Sequence, residues 1–559
     1  MGLGVWEVKS SRNVPGTSYV LDDASRPALP EHLGAHPVKY DKSNTIILVP
    51  QPSDDPNDPL NWPLWKRDII LLILSTISVI ASTLSPLLAA NTVTLAIFFG
   101  RDFTQMALLT GYHLCGVGVA GFIFVASARI WGKRHLYLLG TVLIIISSAW
   151  GGAAGTNYAS LLWARVVQGI GLAPFEALVN ASVGDLYFVH ERGKRMALSN
   201  LALFGGAFFT PVLVGKITQT IGWEWSFYMI AIFAGALLPL IFFFVPETAF
   251  VRPEYQALWR PEEGAAVSVN GQHDSHVSGE SKDVQTPDQS GSASLEKQAP
   301  YTDPTPPKAT FAQSLRPFNG RKSDANFFKL VLRPFPLFFH PAVLWACLIQ
   351  GTLIGWTVMI GVVLAAIFLG PPLWFNEVET GYMYTGPFVG AIMGFIISGL
   401  LADWSTKLMI RRNKGVYEPE FRIVLVALQL VFGCVGLYGF GITAEKVTRY
   451  GWFLPDLFFA FEVGGMVLGA VASALYIVDA HRDIAVEAFT CLLIFKNIFS
   501  FALTWGAYDW LTSAGISKTF YIVASIQVGI CLLSVPMYVF GKWNRAFFSR
   551  HDILKILHL

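Results

Sequence analysis

Twelve apolar blocks, most of them 20 residues or longer, constrain this chain more than any other feature. They lie near 68–91, 105–128, 135–154, 160–184, 195–217 and 224–245, then near 341–369, 380–403, 421–443, 453–478, 485–510 and 519–541. About 20 apolar residues are what a helix needs to cross ~30 Å of hydrocarbon. Only helices and closed barrels span lipid, because the backbone must satisfy its own hydrogen bonds there. None of the blocks alternates apolar with polar residues as barrel strands do, so the reading is an all-α membrane protein with twelve transmembrane helices.

Composition agrees. Of 559 residues 53% are hydrophobic and only 14% charged, against about 25% charged in a soluble domain. A net charge of +2 offers no basic surface for nucleic acid. Cys115, Cys347, Cys434, Cys491 and Cys531 all fall inside apolar blocks and show no metal-ligand or disulfide spacing. No cofactor and no metal is called for, and no phosphate loop, zinc-protease or serine-hydrolase motif is present. The expected layout is a disordered tail over 1–65, six spans over 66–248, a largely disordered linker over 249–338, six spans over 339–543 and a short tail over 544–559. Within the linker, 253–310 is too polar to bury a core, whereas 326–340 is apolar with a few cations and suits a membrane interface. With an even number of spans, both termini and the linker share one side. Loops on that side hold twelve Lys and Arg and the opposite loops hold five, which places the termini and linker in the cytosol.

Ionisable residues inside a span are costly and therefore informative. Span 4 holds Arg165, Gln168, Glu176 and Asp185. Arg165 and Glu176 are eleven residues apart, about 1100°, so they return to within about 20° of one stripe, roughly 16 Å apart. That stripe is expected to line a water-filled cavity, with Asp185 a helix-end residue outside it. In the second half Glu462 and the pair Lys496–Asn497 lie deep in spans 10 and 11. Lys496 needs a carboxylate partner to stay charged, and Glu462 and Glu176 are the two candidates. Spans 5, 7 and 8 carry Gly206, Pro211 and Gly215, then Gly351, Gly355 and Gly361, then Gly386–Pro387. Helices that bend at matching places in two halves suit alternating access. Trp356, Tyr382, Tyr384, Trp505 and Tyr508 are candidate stacking surfaces for an organic ligand.

These features resemble the major facilitator superfamily, whose fold is two six-helix bundles. Arg165-x-x-Gln168-Gly169-x-Gly171 is similar to that family's span 4 element, and Gly399-x-x-x-Asp403 begins its loop signature. Gly132-Lys133-Arg134 ends the first copy of that signature, with Arg129 standing where an aspartate belongs. Finer strings resemble the fungal branch grouped with twelve-span drug:H⁺ antiporters: 55–63 (DPNDPLNWP), Glu191-Arg192-Gly193, Pro246-Glu247-Thr248, 411–420 (RRNKGVYEPE) and 476–479 (YIVD). Span 5 keeps only part of the antiporter element, with Thr210 and Val214 in place of two glycines. The resemblance implies a monomeric carrier in the plasma membrane that couples protons to a small organic molecule, with efflux favoured. Uptake of a cationic nutrient such as a polyamine and a transporter-like receptor are the alternatives. A protonation cycle at Glu176 or Glu462 is the expected coupling step.

Overall fold

The protein is described from a computed structural model, which defines residues 3–7, 14–19, 39, 48, 50, 52–251, 307–414 and 416–559. The first six long helices are α1 Leu64–Ser82, α2 Phe103–Trp131, α3 Arg134–Gly152, α4 Tyr158–Leu186, α5 Val189–Ile221 and α6 Glu224–Phe244. The second six are α7 Pro341–Phe368, α8 Thr385–Arg412, α9 Val426–Glu445, α10 Phe453–Ala480, α11 Ala485–Ala514 and α12 Ile516–Leu532, which Ser534–Arg550 continues. Among the described residues, eleven helical segments are long and apolar enough to cross a membrane.

The first expected span is the exception. The sequence pattern predicts a span over 68–91, yet α1 stops at Ser82, turns follow, and a short helix, Thr92–Phe99, resumes. Pro86 contributes: its ring lacks an N–H, crowds the carbonyl four residues back, at Ser82, and disfavours helical geometry at Ser85, which weakens the helix here. Spans 5 and 7 go the other way: α5 runs unbroken through Pro211 and α7 through its three glycines.

Packing separates two bundles. One core joins buried residues from Ile70 to Val245, and another joins Leu337 to Leu554. A third belongs to the second half but takes in Phe208 of α5, so this helix reaches across. The bundles meet chiefly where α2 packs on α11 and α5 packs on α8 and the short helix Glu377–Tyr382. Gly169 shows why span 4 carries glycine: its Cα lies against the backbone of His113 on α2, where no side chain fits.

The expectation of a disordered 1–65 tail is corrected for its described parts. Ser18–Tyr19 pairs antiparallel with Val416–Tyr417 of the α8–α9 loop. The Val5 side chain is buried, and Trp6 lies beside Phe540. Arg545, fully buried, donates to both oxygens of Glu420 at 3.0 and 2.8 Å, to Glu418 at 2.8 Å and to the Pro15 carbonyl. Burial pushes the Glu418 carboxyl up, but hydrogen bonds from Lys542, Thr17 and Arg545 outweigh it and hold the group below its usual range. Before α1, the buried Asp58 side chain accepts from Ser53 and from the Leu60 N–H, which explains the 55–63 string. Linker residues 252–306, expected to be disordered, lie outside the described residues. The 326–340 stretch forms short helices, Phe327–Leu332 and Pro334–Leu337, with Leu330 packed on Ala126 and Ile130 of α2.

Candidate functional site

A cavity of about 160 Å³ lies between the bundles. One water takes ~10–15 Å³ on this measure, so the space equals roughly a dozen waters, the size of a small organic molecule. Its wall is largely apolar, with Phe204 and Phe208 from α5, Tyr384, Phe459, and Met106 and Met466. Glu176 of α4 and Lys496 and Asn497 of α11 supply its charge and amide. The Lys496 ammonium donates to Oε1 of Glu176, and Asn497 Nδ2 donates to Oε2 at 3.4 Å. Of the two candidate partners for Lys496, Glu176 is therefore the one it meets, and that ion pair joins one bundle to the other.

The other residues of the expected site sit behind the wall. Arg165 and Gln168 have no exposed surface, which corrects the reading of a single wet stripe. By helical spacing Arg165 falls on the stripe of Glu176, and it lies at the level where α1 breaks. Its guanidinium donates to the Leu84 carbonyl at 2.7 Å, the Ser85 carbonyl at 3.4 Å and Gln168 Oε1 at 2.9 Å. Gln168 in turn donates to Ser148 at 3.0 Å. Broken helices leave carbonyls without amide partners, and a planar cation fits them well. Glu462 is equally enclosed; both its oxygens accept from the Thr357 hydroxyl, at 2.8 and 3.0 Å, and Thr357 lines the cavity. His113 escaped the sequence reading because one histidine in an apolar block carries no pattern. It is buried between the Arg165 carbonyl and Ser85 Oγ, at 3.3 and 3.2 Å. Of the five aromatic candidates only Tyr384 lines the cavity; Trp356 is committed to Gln527, Tyr508 stacks on Phe103, and Tyr382 and Trp505 face outward.

The bundles also touch above and below the cavity. At the end carrying the tails, Arg129 of α2 reaches Glu487 of α11, and Arg333 of the linker shares that carboxylate at 3.3 Å. The sequence departure at Arg129 is thus matched by an acid on the facing bundle. At the opposite end Thr94 donates to Glu377 at 2.5 Å, and Gly215 and Pro211 of α5 lie against the Glu377–Tyr382 helix. Gly206 lies against Val79 and Ser82 of α1. We expect Arg129→Gln and Arg333→Gln singly to change reagent access to a cysteine placed at Ala126 less than threefold. The double variant, which strips Glu487 of both cations, should raise access at least tenfold, because such coupled pairs are not additive. Thiol labelling rates in membranes measure both.

The loop motifs take up defined places. Gly132 adopts a positive φ of 91° that packs it against Glu247, whose oxygens accept from the Lys133 and Arg134 N–H groups, each at 3.0 Å. Lys133 also meets Asp185 at 2.6 Å, so Asp185 belongs to this loop. In the second half Gly399 faces open space and Asp403 is exposed, 3.9 Å from Arg422. Arg422 bonds Asp479 at 3.2 Å, and Tyr417 bonds the same oxygen.

A family description of the Major Facilitator Superfamily matches residues 69–490. The chain belongs to that superfamily. Among relatives within it, Protein HOL1 of Saccharomyces cerevisiae is 24% identical over 91% of this chain and 92% of its own. MFS transporter cpaT of Aspergillus oryzae is 24% identical over 87% and 89%. The major facilitator fold is also seen in the likeness to a solved proton:xylose symporter, XylE. There the TM-score is 0.55 at 13% identity, covering 85% of this chain and 96% of XylE. A partially occluded inward-open form of XylE from E. coli matches at 0.55 as well, over 85% and 97%.

Proposed function

We propose that this superfamily member is a proton-coupled carrier that exports a small organic cation by alternating access across the plasma membrane, with its tails in the cytosol. The observation that carries the reading is the Glu176–Lys496 pair, which ties the two bundles together on the wall of a cavity the size of a small organic molecule. The charge inventory favours a cation. Arg165 is already satisfied by carbonyls, which leaves Glu176 and Glu462 against one lysine. Aromatic rings at Phe204, Phe208, Tyr384 and Phe459 add π faces for a flat or quaternary cation. In this reading Glu176 anchors the substrate, Asn497 and Lys496 flank it, Glu462 adds negative potential through Thr357, and Arg165 with Gln168 holds the broken first span. Gly206, Pro211 and Gly215 form the seam that yields at the outer end. Gly132, Lys133 and Arg134 make the turn into α3, and Gly399 and Asp403 lie in the last turns of α8, both toward the cytosolic end. The partial antiporter element of α5 supports export. A panel of organic cations, anions and sugars offered to vesicles containing the full chain, with an imposed pH gradient, tests the reading. Gradient-driven movement of cations is expected, and movement confined to anions or neutral sugars would refute it.

A further inference from the structure

Resting on the cation-carrier reading, one feature goes further: the counter-ion a substrate needs is already occupied by the protein's own ammonium. Among the described residues lining the cavity Glu176 is the one carboxylate, and Lys496 from the opposite bundle is bonded to it. We infer that Lys496 is the group that exchanges a proton against the substrate, acting as a tethered competitor for Glu176.

The surroundings leave few alternatives. Of the helices packed on α11, α7 carries no charged residue. Helix α10 brings Asp456 and Asp479 near its two ends and, between them, Glu462, which has no exposed surface and accepts from Thr357. Helix α12 brings Lys518 in its first turn. Helix α2 brings His113, enclosed by Ser85 and the Arg165 carbonyl, and α4 brings Arg165, enclosed by the carbonyls of the α1 break. Arg129 and Glu487 pair with each other at the tail end, several turns away. Glu176 can balance one cation. When an organic cation displaces the Lys496 ammonium, two positive charges face a single carboxylate inside apolar walls, an arrangement that a low dielectric punishes. Lysine has a way out that arginine lacks, since its ammonium can give up a proton.

The exchange balances. The organic cation and the Lys496 ammonium–Glu176 carboxylate pair become a cation–carboxylate pair, neutral Lys496 and one proton released to the cavity water. On the other face of the membrane the cation leaves, Lys496 takes a proton and the pair re-forms. Both occupied states hold one positive charge against one negative charge, and one proton moves per monovalent cation. Because the pair spans the two bundles, the same event loosens the link between them on loading and restores it on unloading.

The test uses the full chain in vesicles and N-methyl-4-phenylpyridinium, a flat permanent cation whose accumulation cannot be mistaken for weak-base trapping. Membrane potential is clamped at zero. Wild type should accumulate the probe against its gradient when the lumen is acidic. Lys496→Met should lose that accumulation at least tenfold while still exchanging labelled for unlabelled probe, which also shows that the variant is folded. Lys496→Arg, a cation that keeps its proton, should lose accumulation and exchange together by at least tenfold. Undiminished pH-driven accumulation in Lys496→Met would overturn the inference and leave the carrier reading standing. Wild-type protein that neither accumulates nor exchanges any organic cation would remove both.

Discussion

Glu176→Gln is expected to lower cation flux by about 30- to 4000-fold while leaving the amount of protein in the membrane near normal. Removing one partner of a buried, hydrogen-bonded charge pair costs about 2–5 kcal/mol, and each 1.4 kcal/mol is about tenfold in affinity. Protein levels are spared because a glutamine oxygen still accepts from the Lys496 ammonium and from Asn497, and because the cavity has room for water to complete the shell. Glu462→Gln provides the contrast. Its partner is the Thr357 hydroxyl, which can still donate to a glutamine oxygen, though more weakly than to a carboxylate, so a change of less than tenfold is expected. Initial rates in vesicles, normalised to protein by immunoblot, separate the two. Equal, large losses in both variants would move the anchor from Glu176 to a shared duty of the two acids.

The fold was legible because lipid imposes a length and an apolarity that few sequences meet by accident. Where the reading failed, it failed on what apolarity does not encode. Pro86 sits inside an apolar block, so the apolar pattern of span 1 is continuous although the helix stops at Ser82 and proline disfavours its continuation. Angular arithmetic puts Arg165 and Glu176 on one stripe, yet a stripe does not say what faces it at each height. The α1 break faces Arg165, and the cavity faces Glu176. The need of Lys496 for a carboxylate follows from depth alone, but choosing Glu176 over Glu462 depends on how two bundles dock, which no local pattern records. Glu487 went unremarked because acids at helix ends are ordinary; its meaning comes only from Arg129 and Arg333 converging on it. The described parts of the tail were hidden for a similar reason, since Pro15, Thr17 and the Ser18–Tyr19 strand are held by Arg545, Glu418 and Val416–Tyr417 from more than 390 residues away.

Arg165 supplies the second large effect, and it falls on stability. Arg165→Met should lower the melting temperature of the purified protein sharply and reduce its abundance, with loss of transport following from the missing protein. The guanidinium donates to the Leu84 and Ser85 carbonyls, to Gln168 and, at 3.4 Å, to the Leu109 carbonyl. Leaving a buried acceptor unsatisfied costs about 1–3 kcal/mol, so loss of the Leu84 and Ser85 partners alone puts the cost at about 2–6 kcal/mol. Lysine does not repair the site, because a point charge with three donors cannot match a planar fork aimed at several carbonyls at once. Gln168→Leu should be milder than Arg165→Met, since it removes the link to Ser148 and one acceptor but leaves the carbonyls of the break capped. A direct substrate contact at Arg165 predicts the reverse order of symptoms: wild-type melting and abundance with lost flux. Thermal unfolding in detergent, run beside flux in vesicles matched for protein, distinguishes a residue that holds the first span together from one that touches the cargo.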